Sequence, residues 1–224
     1  MDTEPRVSEH HRAGDGEVYA KARLDATPML GHQINASVFR PHLGSSDSVL
    51  DFGCGVGGMM EVLASNCGSI EGFDINPSLI AQARERGFEV IERYEDLPVQ
   101  RYDVVYSNHV LQHIPDVAKA IEKIRETIKP QGLLAVKLPI DDPNARLQRR
   151  WSADDADHHL FTWSPKLFAN LLYECGFDVL ECRVITYAWH PKLLPLKRVG
   201  LLGVAGWALA TVLRRRQLFA LARA

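Results

Sequence analysis

Two carboxylates and a run of glycines carry the first chemical signal in this chain. Asp51 stands two residues ahead of Gly53 in the segment Val49-Leu50-Asp51-Phe52-Gly53-Cys54-Gly55-Val56-Gly57-Gly58. Glycine lets a backbone turn tightly and approach a ligand with no Cβ in the way. A helix starting directly after such a turn offers N–H groups that no helical carbonyl uses. Gly53, Gly55 and Gly58 satisfy the G-x-G-x-x-G spacing of dinucleotide sites, and Gly53, Gly55 and Gly57 satisfy G-x-G-x-G. Asp51 separates the two readings, because a carboxylate at a strand end repels a pyrophosphate and attracts a ligand ammonium. A second acid, Asp74, follows Asp51 by 23 residues, where a ribose diol can be held by two charge-assisted hydrogen bonds. An acid at that place serves any adenosine cofactor. The plainer uses are a helix N-cap for Asp74 and a ligand-free strand-to-helix turn for the glycines.

The elements that must position these groups alternate. Ser48–Phe52 reads as a short buried strand and Gly58–Asn66 as a helix. A second strand spans Ser69–Asp74, and a helix over Pro77–Arg86 has Asn76 as N-cap, Pro77 at its first position and Gly87 as its stop. Phe88–Glu92 and Tyr102–Ser107 read as the third and fourth strands. Asp116–Ile128 is amphipathic, with Val117, Ala120, Ile121, Ile124 and Ile128 on one face and Lys129-Pro130 closing it. Leu133–Leu138 is a fifth strand, Ser164-Pro165 opens a helix to Cys175, Phe177–Val184 is a sixth strand and Gln217–Arg223 a last one. Alternating strands and helices imply an α/β, doubly wound sheet with helices on both faces and the ligand edge at the strands' carboxyl ends.

Four motifs in this order give the chain a family resemblance. The glycine segment from Val49 to Gly57 is the first. Asp103-Val104-Val105-Tyr106-Ser107-Asn108-His109-Val110-Leu111-Gln112-His113-Ile114-Pro115-Asp116 is the second. Ile128-Lys129-Pro130-Gln131-Gly132 is the third, and Phe161-Thr162-Trp163-Ser164-Pro165 leading to Cys175-Gly176-Phe177 is the fourth. From about Ser48 to Phe177 the chain resembles the class I S-adenosylmethionine (SAM)-dependent methyltransferases. The likeness is greatest to the small bacterial type that includes the ubiquinone and menaquinone methyltransferases. The resemblance implies a Rossmann-like, seven-stranded mixed sheet in the order 3-2-1-4-5-7-6, with the seventh strand antiparallel. It implies SAM as cofactor, with Asp51 near its methionine end, Gly53, Cys54, Gly55 and Gly57 beneath it, Asp74 and Ile75 at the ribose, and Ser107 and Asn108 bordering the methionine portion. Arg93 and Tyr94 stand where such proteins often carry an acid and a small residue near the adenine. Either Tyr94 is expected to contribute its backbone N–H, or Glu95 and Asp96 to take the place of the acid. Gln131 replaces a glycine of the third motif, a change expected to be neutral.

A sulfonium already activates its methyl group, so alignment of the acceptor is the main requirement, and no metal is expected. A base matters only where the acceptor loses a proton. His109, His113, His158 and His159 are the candidates, since histidine accepts a proton near neutral pH. Wall, buried backbone-bonding and capping roles are the alternatives. The expected function is methyl transfer to a small or lipid-linked acceptor, at oxygen. A non-catalytic module binding SAM or its demethylated product, and an NAD(P)-linked oxidoreductase, are the alternatives.

Composition sets the remaining bounds. The 224 residues are 46% hydrophobic and 24% charged, with formal net charge −2, which argues against broad binding to nucleic acid. The four cysteines make no Cys-x-x-Cys pair and read as reduced thiols in a cytoplasmic setting. Residues 1–16 read as a disordered tail and 17–224 as the methyltransferase domain. Within that domain, 17–44 read as an N-terminal helical lid, 139–163 as an acceptor-side insertion and 192–213 as an apolar helical segment. The run Val199–Leu213 has Lys197-Arg198 before it and Arg214-Arg215-Arg216 after it, and is short of the roughly 20 residues a bilayer span needs. It is expected to pack on the domain or on a second subunit as a homodimer, or to meet the inner membrane face through 192–216.

Overall fold

The computed structural model describes residues 5–6, 29–140, 158–186, 204, 208, 210–212 and 216–224. Seven strands form one sheet: β1 (Ser48–Phe52), β2 (Ser69–Phe73), β3 (Val90–Ile91), β4 (Tyr102–Asn108), β5 (Ile128–Pro139), β6 (Asp178–Thr186) and β7 (Arg216–Arg223). Their order is β3-β2-β1-β4-β5-β7-β6. β1 to β5 pair in parallel, and β7 runs antiparallel between β5 and β6. This is the expected topology. The described helices are α1 (Met29–Ala36), α2 (Gly58–Leu63), α3 (Pro77–Glu85), α4 (Val117–Thr127) and α5 (Pro165–Glu174).

Side-chain alternation divides the core between the two faces. Val49, Val104, Tyr106, Ala135 and Phe219 point to one face, where Ala36 of α1, Phe39, and Met59 and Leu63 of α2 cover them. Leu50, Phe52, Val105, Leu134, Val136 and Leu218 point to the other, under Ile121 and Ile124 of α4 and Phe168 and Leu172 of α5. The stripe of α4 is buried as its 3.6-residue period predicts. Asn76 caps α3 by accepting from the Ser78 and Leu79 N–H groups, with Pro77 at the first position.

Several boundaries differ from the sequence reading. β3 is two residues long, at the sheet edge. The helix after the glycine turn ends at Leu63 and tightens into a 3₁₀ turn over Ala64–Asn66. Of the N-terminal helical region, α1 and a 3₁₀ turn at Arg40–His42 are described, whereas the 1–16 tail and residues 17–28 lie outside the described residues, Pro5 and Arg6 excepted. α4 ends at Thr127, ahead of Lys129-Pro130 as expected, but β5 begins at Ile128 rather than Leu133 and contains that pair, and its pairing with β4 shifts register between Tyr102 and Val104.

That shift centres on Gln131 and Gly132. A Cβ at Gly132 would lie 2.6 Å from Ile128 Cγ2 and 2.8 Å from the Asp103 carbonyl oxygen. Gln131 itself takes φ +69°, so a glutamine occupies a left-handed conformation that suits glycine. The replacement expected to be neutral therefore carries backbone strain. Gln131→Gly should raise stability by about 0.5–1 kcal/mol, the strain relieved less the entropy glycine adds to the unfolded chain. Guanidinium unfolding should show a higher midpoint at unchanged slope. A lower midpoint would mean that the glutamine side chain more than compensates its backbone.

Candidate active site

The glycine turn is pinned to the carboxyl end of β2. Gly53 and Cys54 donate their backbone N–H groups to the Phe73 carbonyl at 2.7 and 3.0 Å. Gly55 donates to Asp74 Oδ2 at 2.8 Å, while the Asn76 N–H donates to Asp74 Oδ1 at 2.9 Å. The two acids of the sequence motif are thus brought to one edge, with the turn between them. Gly53 has φ +85°, and a Cβ there would lie 2.2 Å from Val110 Cγ2. Gly55 has φ +54°, and a Cβ there would meet no atom within 4 Å. The backbone at Gly55 therefore faces open space on the side where a ligand would approach.

Asp51 is 2% exposed and lies opposite Tyr106 in the β1–β4 pairing. The Tyr106 hydroxyl faces the Asp51 carboxyl but lies outside strict hydrogen-bond geometry, which leaves that hydroxyl and Asp51 Oδ2 without a well-formed hydrogen bond among the described residues. Burial pushes the Asp51 carboxyl up to about 8, opposed by the neighbouring Tyr106 hydroxyl and reinforced by Asp74. Burial also raises Asp74, against the backbone N–H groups of Asn76, Gly55 and Ile75 that favour its charged form. Unpaired buried carboxyl oxygens are costly unless a partner arrives. This pair fits an incoming cation at Asp51 and hydroxyl donors at Asp74.

Ser107 Oγ donates to the Phe52 carbonyl at 3.0 Å, tying the end of β4 to the start of the turn. Asn108 Oδ1 is buried without a hydrogen-bond partner among the described residues. Ile75 packs against the main core, and the Tyr94 ring lies in it, 4.8 Å from Phe73. Phe52 and Phe73 stack at 4.8 Å, so the turn rests on an aromatic floor.

The histidines occupy three different settings. His109, with φ +60°, follows β4 directly; its N–H donates to the Lys137 carbonyl at 2.8 Å, and the Gln217 amide donates to its Nε2 at 2.9 Å. His113 is buried, with Nε2 at 2.9 Å from Gln112 Nε2 and Nδ1 at 3.3 Å from the His158 carbonyl oxygen. Both of its ring nitrogens are engaged inside the protein, the geometry of a brace between two loops. His159 stands with its ring 5.0 Å from that of His113. Asp157, which by its place before His158 and His159 could orient a histidine, lies outside the described residues.

Sequence reading missed three residues that share this edge: Tyr106 as the neighbour of Asp51, Lys137 of β5, and Gln217 of β7. A lysine inside the apolar strand Leu133–Leu138 was the available signal for the second. Gln217 has no local signal, because β7 joins the site only through antiparallel pairing with β5.

A doubly wound sheet whose first turn holds an acid-flanked glycine bend defines a nucleoside-cofactor site, and comparison with known proteins narrows the class. The chain belongs to the family described as "Methyltransferase domain", whose model matches residues 29–182. It is 33% identical over 119 residues to a trans-aconitate 2-methyltransferase of Methylobacterium nodulans, covering 50% of this chain and 46% of the relative. It is 32% identical over 148 residues to a ubiquinone biosynthesis O-methyltransferase of Pseudomonas paraeruginosa, covering 61% and 62%. The fold is also that of a methyltransferase from Haloferax volcanii solved with the Trm112 methyltransferase activator, with TM-score 0.67, 19% identity and coverage of 93% and 95%. The chain spans about half the length of the first curated relatives it matches.

Proposed function

We propose that this protein methylates an oxygen of a small or lipid-linked acceptor. The observation that carries the residue assignment is the buried Asp51 carboxyl, unpartnered at Oδ2, beside a turn whose Gly55 opens on empty space. When bound, SAM supplies a sulfonium methyl that needs only an aligned nucleophile. Asp51 would hold the ammonium of its methionine end, and Asp74 would accept from the ribose hydroxyls. Gly53, Cys54, Gly55 and Gly57 would let the backbone lie close beneath, with Ile75 and Tyr94 on the nucleoside side and Ser107 and Asn108 along the methionine portion. His109 is suited to take the acceptor's proton at Nε2. Gln217 Oε1, buried and without a hydrogen-bond partner among the described residues, could then accept from the protonated ring once its amide turns over. His113 would hold the loop after β4, while His158 and His159 would border the acceptor.

No helix among the described residues is long and apolar enough to cross a membrane. Of the apolar segment, residues 204, 208 and 210–212 are described as helical, with Val204 and Val212 exposed. A cytoplasmic protein resting on a membrane surface through 192–216, or pairing with a second copy there, is the arrangement we propose for a lipid-linked acceptor. Flotation of the full chain with anionic liposomes, against a full-length variant with Lys197, Arg198, Arg214 and Arg215 changed to Glu, tests the membrane contact, and equal recovery of both in the soluble fraction rejects it.

The acceptor is sought by profiling metabolites of a deletion strain for a species 14 daltons lighter than its wild-type counterpart. Incubation of that species with protein and methyl-labelled SAM should then return an O-methyl product. Methylation at nitrogen or carbon would refute the oxygen assignment. Tight calorimetric binding of NAD with none of SAM would refute the cofactor reading.

A further inference from the structure

Tyr106 of β4 brings a hydroxyl to a place where packing asks for none. Its side chain is fully buried on the face that α1 and α2 cover, with the Phe39 ring 5.1 Å away and Val49, Val104 and Ala135 in the same cluster. A phenylalanine would fill that space as well. The hydroxyl has no well-formed hydrogen bond among the described residues. Neither has Oδ2 of Asp51, which stands directly opposite in the β1–β4 register. Two polar groups taken out of water and left facing each other without a good bond cost stability. The pair is therefore incomplete without a third group.

A cation completes it. Burial holds the Asp51 carboxyl at about 8 in the free protein, and the Tyr106 hydroxyl opposes that rise. A phenol donates more strongly to a carboxylate than to a neutral carboxyl, because the bond is then charge-assisted. An ammonium arriving over the open backbone at Gly55 turns Asp51 into the carboxylate and so gives the hydroxyl the acceptor it lacks. The titratable groups around the pair are Cys54 in the turn, Cys67 behind α2 and Asp74 beyond β2. Lys137 of β5 stands level with Asn108, two residues beyond Tyr106. The helical side offers Ala36, Phe39, Met59 and Leu63, none of them titratable.

We propose that Tyr106 is a positioning residue for the cofactor: its hydroxyl stabilises Asp51 as the carboxylate that receives the ammonium of the methionine end, and so keeps the cofactor tightly bound at neutral pH. This rests on the reading of Asp51 as the ammonium's partner and goes beyond it by giving a role to a residue that reading leaves unused. Tyr106 acts through Asp51 and touches no part of the cofactor itself.

The test is calorimetry of the full chain with S-adenosylhomocysteine from pH 6 to pH 9, for wild type, Tyr106→Phe, Asp51→Asn and the double variant. Tyr106→Phe should weaken binding about tenfold at pH 7. The deficit should narrow as pH approaches 9, where the carboxyl ionises without help. Methylthioadenosine, which has no amino-acid end, should bind wild type and Tyr106→Phe within twofold, since the turn is intact in both. In the Asp51→Asn background the tyrosine change should be silent within twofold. The proposal is overturned if Tyr106→Phe binds S-adenosylhomocysteine as wild type does, or if its deficit is equal at every pH. It is also overturned if methylthioadenosine weakens by the same factor, or if the effect persists without the Asp51 carboxylate. Asp51→Asn binding as tightly as wild type would instead defeat the reading of Asp51 itself.

Discussion

Asp51→Asn should weaken SAM binding by about a hundredfold, because a charge-assisted hydrogen bond to a buried partner becomes a neutral one. The same change should alter how binding depends on pH. In the free protein the carboxyl titrates at about 8, so at neutral pH most molecules carry it protonated. The groups facing it are Tyr106, Asp74 and Cys54. A bound ammonium requires the carboxylate, so binding at pH 7 should release close to one proton. Affinity should fall by up to about tenfold per unit as pH drops below 8. Calorimetry in buffers of different ionisation enthalpy counts that proton, and Asp51→Asn should release none. Stability without ligand has the opposite sign. A carboxyl raised above its unfolded value of 3.8 stabilises the fold fully below that value, and this contribution disappears as pH rises through about 8. The melting temperature of wild type should therefore decline between pH 6 and 9 more steeply than that of Asp51→Asn. Parallel declines would mean that the carboxyl is already charged in the free protein.

Gly53→Ala should cost about 3 kcal/mol of stability or more and abolish measurable cofactor binding. Two effects add. A Cβ 2.2 Å from Val110 Cγ2 forces the turn or the loop after β4 to move, and φ +85° is unfavourable for any L side chain. They can be separated. Val110→Ala removes the clashing methyls but not the dihedral, so the double variant should recover the steric part and remain about 1–2 kcal/mol below Val110→Ala alone. Denaturant unfolding of the four proteins measures this cycle. Full recovery would show that the dihedral carries no cost, and no recovery would place the strain elsewhere.

The parts of this fold that could be read in advance are those specified within a few residues. The stripe Val117, Ala120, Ile121, Ile124 repeats with the helical period, and Asn76-Pro77 to Gly87 carries both ends of α3. The bend after β1 announces itself by three glycines, all of which have positive φ. Asp51 and Asp74 are legible because each stands at the carboxyl end of a strand, Asp51 one residue before the end of β1 and Asp74 one residue after β2. What could not be read depends on partners far along the chain. Whether His113 is a base or a brace turns on the His158 carbonyl, 45 positions away. Lys137 reads as an ordinary charged residue until pairing with β4 and β7 turns it inward beneath Asn35, 102 positions away. Gln131 looks interchangeable with glycine in type, and only its dihedral reveals the difference. β5 outran its expected start because the kink at Gln131-Gly132 lets a strand continue past residues that usually end one.

The insertion of β7 between β5 and β6 has a kinetic consequence. β6 touches the rest of the sheet through β7, and β7 is the later of the two in the chain. During folding, α5 can pack Phe168 and Leu172 on the main core, but β6 joins the sheet only when residues 216–223 pair between it and β5. Loop closure over that distance is slow compared with the neighbouring parallel pairings nearer the amino end. Substitutions along β7 should thus accelerate unfolding while leaving the refolding rate nearly untouched, a signature of late-docking structure. Gln217, which contacts His109, arrives with that strand, so the candidate site would be completed only in the last stage of assembly.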